Sequence, residues 1–258
     1  MAISMRTYRA LQAVLLAGLG LFMLQKLWTG TLYWYINQRF WLLILLAAVG
    51  FLVLARVVLP GRGGPEASSD HQHDDEHAHA TGHDHYHGTP RAWGLLFLAI
   101  PLLLAVIIPA RPLGSSAISN RGINTGAPLT VGGGTPTQLD LAPTDRNVLD
   151  WVRAFNYSGD PQTYAGQPAD VVGFVYHDDQ LGADVFLVSR FAVTCCSADA
   201  MAIGLLVRWP EAASLESNAW VRVRGPVEVG SLRGNPTPLV AAASLEGVEA
   251  PAQPYLYP

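Results

Sequence analysis

Two groups of residues in this 258-residue chain carry side chains that bind metals or move electrons. The first is Cys195-Cys196, the only cysteines present, set in the stretch RFAVTCCSADA. Consecutive Cα atoms stand about 3.8 Å apart across a trans peptide, below the ~4.4 Å that disulfides usually need, so a bridge between neighbours is strained and easily reduced. In an unbroken strand the two thiols point to opposite faces, and a shared ligand therefore demands a bulge or turn here. Three uses of the pair compete. One thiol can simply fill core; one or both can bind a metal together with Asp199 and His177; or the pair can cycle as a redox couple, against which the missing CxxC spacing counts.

The second group is DHQHDDEHAHATGHDHYHG, which holds His71, His73, His77, His79, His83, His85 and His87 among five carboxylates. Imidazole suits zinc, copper, nickel and iron, and His-x-His pairs beside carboxylates complete a site when the chain folds around the ion. The Gly- and Pro-rich flanks predict several exchanging sites of modest affinity. The same composition also fits a solvated linker, or a pH sensor whose imidazoles titrate near about 6.5.

The elements around these groups are of two kinds. The chain is 50% hydrophobic and 14% charged, against about a quarter charged in ordinary soluble domains. Crossing a bilayer takes about 20 mostly apolar residues as a helix. Residues 8–28, 40–59 and 93–110 meet that need, the last with Pro101 inside it. Residues 8–28 also resemble a signal peptide in length, but the run ends in QKLWTG, with no small-x-small cleavage site, and a second apolar run follows at once. Between these runs Trp28, Tyr33, Trp34, Tyr35 and Trp41 form an interfacial aromatic belt, so the first two spans make a hairpin. With the N-terminus inside, five basic residues flank the cytoplasmic ends and four the outer ones, which directs the C-terminal domain outward.

From residue 144 the pattern is that of a soluble domain. Thr144 is a candidate cap for a helix through Phe155, whose Val148, Trp151, Val152 and Phe155 share one face. Strands are expected over 169–177, 184–195, 202–209, 219–229 and 238–250, with Val221 and Val223 facing one way and Trp220, Arg222 and Arg224 the other. Five short strands in so few residues predict a small Greek-key barrel of the OB type. Many such barrels bind single-stranded nucleic acid in a basic groove, yet residues 124–258 carry seven basic and fourteen acidic residues, which excludes that partner. The predicted organisation is thus a transmembrane hairpin over 1–60, a His-rich loop over 61–91, and a third transmembrane helix over 92–110. A linker over 111–143 and an OB-like β domain with a leading helix over 144–258 complete it. The fold class is an α-helical membrane region of three transmembrane helices plus a small OB-like β-barrel.

Three blocks of the sequence resemble the DUF1980 family of bacterial membrane proteins. They are the hairpin turn with Gly30, Leu32, Tyr35, Ile36 and Asn37; the exit of the third span with Pro109, Leu113, Ser115 and Asn120-Arg121-Gly122; and GFVYHD with Arg190, Phe191, Cys195, Cys196, Ala198, Asp199 and Ala200. The resemblance implies an accessory subunit working with a multi-span permease partner in the cell membrane. It brings no catalytic residue, and the His-rich loop lies outside the family pattern. No phosphate loop, nucleophile elbow, HExxH helix or dinucleotide fingerprint occurs. The sequence therefore points to a non-enzymatic membrane subunit that handles or senses zinc or another transition metal. A membrane-anchored thiol oxidoreductase and a plain scaffold are the alternatives.

Overall fold

The computed structural model describes residues 4–59, 93–123, 141–158, 160–232 and 235–257. The chain divides into two compact units, Met1–Thr29 with Trp41–Pro109, and Gly30–Phe40 with Ala110–Pro258.

The first unit is helical. Helix α1 (Met5–Trp28) starts at Ser4, whose hydroxyl accepts the N–H of Thr7, and carries Lys26 in its last turn, where a cation meets the negative end of the helix dipole. Helices α2 (Trp41–Val58) and α3 (Trp93–Ile107) follow. The α1 segment and residues Gln38–Val58 are long and apolar enough to cross a membrane, whereas α3 has 15 helical residues. Small residues let α1 and α2 approach closely. A Cβ on Gly20 would stand 2.9 Å from the Ala48 carbonyl oxygen, and Ala13, Ala48 and Ala55 are buried. Large apolar side chains such as Leu21, Leu46, Val57 and Phe97 face outward. Leu16, Ile44 and Leu95 are buried as well, and small residues that let backbones approach are how helices associate when water supplies no driving force.

The second unit is a mixed sheet with helices α4 (Ser115–Arg121) and α5 (Val148–Ser158). Its strands are β1 (Pro168–Tyr176), β2 (Val185–Ala192), β3 (Met201–Arg208), β4 (Trp220–Leu232), β5 (Asn235–Ala241), β6 (Ser244–Gly247) and β7 (Tyr255–Leu256). Pairing runs β1–β2–β3–β5–β4, and β4 pairs back onto β1, so these five strands form a closed circuit. Only β3–β5 and β2–β7 are parallel among the described pairs. Strand β4 pairs β1 through residues 220–226, and pairs β6 and then β5 through residues 221–224 and 227–232. The change from β6 to β5 falls at Gly225-Pro226, where a Cβ on Gly225 would stand 2.0 Å from the Ala241 carbonyl oxygen, so no larger residue fits there.

Helix α5 buries Val148, Trp151 and Val152 against Val171, Phe186, Val188, Val207 and Val223 from the strands. The expected start of this helix needs correction. Thr144 lies in a short 3₁₀ turn, Pro143–Asp145, and the α-helix begins at Val148. Asn147 is the cap, its Oδ1 accepting the N–H groups of Leu149 and Asp150. The run expected as one last strand over 238–250 is two strands that both pair β4, interrupted at Ala242-Ala243, where the chain bends and its N–H groups go to the Arg208 and Arg224 carbonyls.

Candidate functional site

The cysteine pair sits on a loop just past the end of β2. Val193 is still buried and bonds through its N–H to the Leu256 carbonyl. The chain then wraps around one carboxylate. Asp199 Oδ1 accepts the N–H of Thr194 at 3.0 Å, and Oδ2 accepts those of Cys195 and Cys196 at 2.7 and 3.3 Å. Residues Ser197–Asp199 form one 3₁₀ turn that brings the carboxylate back over its own loop. This wrapping supplies the turn that two neighbouring thiols need to share a side. Their Sγ atoms are 3.6 Å apart, and the ligand atoms of Cys195, Cys196 and Asp199 all lie within 4.8 Å of one another.

Electrostatics follow from the same contacts. The Cys195 thiol, exposed at the loop surface, is pushed up to about 11 by its hydrogen bond to the Asp199 carboxylate and by its neighbour Cys196. At neutral pH it is therefore a protonated thiol, without the thiolate character that marks reactive and redox cysteines. Burial alone would raise Asp199, but bonds from the Cys195 thiol and the backbone N–H groups outweigh it and hold the carboxyl below its ordinary range.

Segments far apart in sequence converge on this loop. The turn between α1 and α2 forms an isolated antiparallel bridge, Ile36 with Cys196. Ser197 donates to the Tyr35 carbonyl at 2.7 Å, Asn37 donates its backbone N–H to Cys195 O at 2.9 Å, and Asn37 Nδ2 reaches Thr194 O at 2.9 Å. From the other side, Arg121 Nη1 donates to the carbonyls of Ser197 and Ala200 at 2.9 and 3.2 Å. Trp34, Leu113 and Ala117 complete the apolar floor with Ile118, Phe191, Val193 and Ala200. So the three sequence blocks of the family resemblance meet at one place.

The other expected residues divide clearly. Arg190 is buried and bonds three carbonyls: Nε to Pro254, Nη1 to Val172 and Nη2 to Gln253, with the guanidinium 5.0 Å from the Trp220 ring centre. Burial pushes its pKa down to about 10. It fastens the C-terminal segment beside β2 and is a structural residue. Phe191 and Ala200 are buried in the floor, and Ala198 is exposed on the turn. His177 bonds the Leu215 carbonyl through Nε2 at 2.8 Å and is not among the grouped ligand atoms. His71, His73, His77, His79, His83, His85 and His87 lie outside the described residues. Sequence reasoning did not join Tyr35–Asn37 and Arg121 to the cysteines; their shared membership in the family blocks was the available signal.

The class this geometry defines is an apolar helical unit joined to a mixed-sheet domain that presents a clamped dithiol loop. Family models for the DUF1980 N-terminal and C-terminal domains match residues 11–124 and 137–258, and the chain belongs to the DUF1980 family. It is similar to the UPF0703 protein YcgQ of Bacillus subtilis, with 23% identity over 124 residues, or 47% of this chain and 42% of that protein. A Streptococcus mutans protein bearing the name of a two-component membrane permease complex subunit is 23% identical over 213 residues. That match covers 68% of this chain and 77% of the relative. The chain thus spans less than half the length of YcgQ and about three quarters of the streptococcal protein.

Proposed function

We propose that this chain is a non-catalytic, multi-pass accessory subunit of a two-component membrane permease complex, and that its Cys195-Cys196 loop contacts a transition metal. The name of the streptococcal relative supports the permease role, and two helices of crossing length support a membrane setting.

The observation that carries the reading is the bridge between Ile36 and Cys196. It ties the turn between α1 and α2 to the cysteine loop within one folded unit, which also contains everything after Ala110. The chain leaves that unit through α2 and re-enters it after α3. A crossing by α2 therefore requires a return crossing by α3, which supports three spans although α3 is short. The balance of basic residues, five against four, favours an extracytoplasmic sheet domain. The closed circuit β1–β2–β3–β5–β4 supports the OB-type barrel. Metal contact rests on the grouping of Cys195, Cys196 and Asp199. The thiol oxidoreductase is the weaker reading, because the CxxC spacing of such enzymes is missing.

Co-production with a multi-span permease tests the role. The expected result is retention of the permease on the tagged chain through detergent extraction and purification. A permease that washes away overturns the subunit reading, and a chain that stays in the supernatant after ultracentrifugation without detergent overturns the membrane setting. An impermeant maleimide added to intact cells should label Cys195; labelling only after lysis reverses the orientation.

A further inference from the structure

The spacing of the two sulfurs carries information about which ion the loop takes. Two thiolates bound to one ion at about 2.3 Å, the zinc–sulfur length, stand about 3.8 Å apart at a tetrahedral angle and about 4.6 Å apart in a linear arrangement. Cys195 Sγ and Cys196 Sγ are 3.6 Å apart, close to the tetrahedral value and about an ångström short of the linear one. Opening to the linear distance would require one thiol to leave its present side-chain orientation, whereas the tetrahedral distance needs almost no movement.

We infer that Cys195, Cys196 and Asp199 form an open, tetrahedral zinc site with three protein ligands and a fourth, exchangeable position facing outward. This deepens the metal contact proposed above and rests on it. Asp199 accepts three N–H groups and the Cys195 thiol, and loss of that thiol's proton on binding frees the fourth of its roughly four lone-pair positions for the ion. Cys195 is exposed and Cys196 half-buried, so one side of the site is open to an incoming donor. His177, the obvious fourth ligand by type, is committed to the Leu215 carbonyl. Closed four-ligand sites hold zinc structurally, whereas three ligands with an open position suit exchange. An open site of this kind fits hand-over of the ion to a donor on a partner protein. Binding exchanges the two thiol protons for one divalent ion, and both protons leave to water.

Cobalt(II) substitution in the full-length protein, purified in detergent under reducing, anaerobic conditions, tests the assignment. Tetrahedral thiolate ligation gives sulfur-to-cobalt charge-transfer absorption and intense visible bands, and histidines of the 71–87 segment cannot produce the former. The expected result is a charge-transfer band that zinc(II) abolishes and that is lost in Cys195→Ser and in Cys196→Ser. Circular dichroism of each variant guards against loss of the fold. No charge-transfer band, or one that survives either substitution in a folded protein, overturns the site. Failure of zinc(II) to displace cobalt, with displacement by copper(I), overturns the tetrahedral assignment. Permease co-purification measured on the same variants separates this failure from failure of the subunit role.

Discussion

The cysteine loop and the β1–β4 seam each turn on one aspartate, and they use it in opposite ways. Asp199 is held by backbone N–H groups from its own loop, within five residues in sequence. Asp170 is held by two arginines across the sheet: Arg222 Nε and Nη2 at 2.6 and 2.7 Å, and Arg224 Nε at 3.1 Å. The Arg222 bond is the main reason the Asp170 carboxyl lies below its ordinary range, with Arg224 adding to it against the effect of burial. Long-range ion pairing fixes which strands meet. A carboxylate wrapped by its own backbone fixes instead where two neighbouring thiols point. The first contributes to the stability of the whole unit, the second to the shape of a few residues.

The comparison breaks most visibly at Asp170. Asp170→Ala leaves Arg222 and Arg224 side by side without their counter-charge and removes three charge-assisted bonds. Thermal unfolding followed by circular dichroism should show a loss of about 2–3 kcal/mol for the sheet domain. A change below about 0.5 kcal/mol would show that the seam is held by its apolar contacts alone.

The pH dependence has a defined sign. A carboxyl with a depressed folded-state pKa stabilises above its unfolded value of about 3.9, and that contribution is lost as pH falls below it. Thermal unfolding should therefore weaken on acidification below about pH 4, and the part due to Asp170 should be absent in Asp170→Asn. A next, more local effect is expected at the loop. In Asp199→Asn, amide exchange at Cys195 and Cys196 should accelerate about 10-fold, near 1.4 kcal/mol, with little change in global unfolding. Equal loss of global stability in the two aspartate variants would erase the contrast. The smallest effect is at the exposed pair Arg208–Glu228, 2.9 Å apart, where Glu228→Gln should stay within about 0.5 kcal/mol.

Much of the architecture was legible because it rests on local pattern. Val221 and Val223 alternate with Arg222 and Arg224, and the structure buries the valines and pairs the arginines with acids. The apolar runs gave α1 and α2 for the same reason. The start of α5 was misplaced because Thr144 and Asn147 are both good caps, and the choice depends on where Pro143 ends its own turn. The break between β5 and β6 was hidden because PLVAAASLEGVEA contains no turn signal; it is imposed by Arg208 and Arg224, whose carbonyls receive Ala242 and Ala243. At the site, the demand for a turn at the cysteines was legible from the alternation rule. The closing of Tyr35–Asn37 and Arg121 onto that turn was not, since bonds between residues more than 70 positions apart leave no periodicity to read.

The way Arg190 grips the last residues has a practical consequence for anyone cutting this protein into pieces. Its three acceptors include Gln253 and Pro254, Tyr255 packs against Phe191, and the Tyr255 hydroxyl accepts the N–H of Leu113. A recombinant fragment that stops short of Gln253 strands a cation in the interior and removes the latch on the segment that follows α3. Such a truncation would report on a damaged domain, however well the rest of its boundaries were drawn.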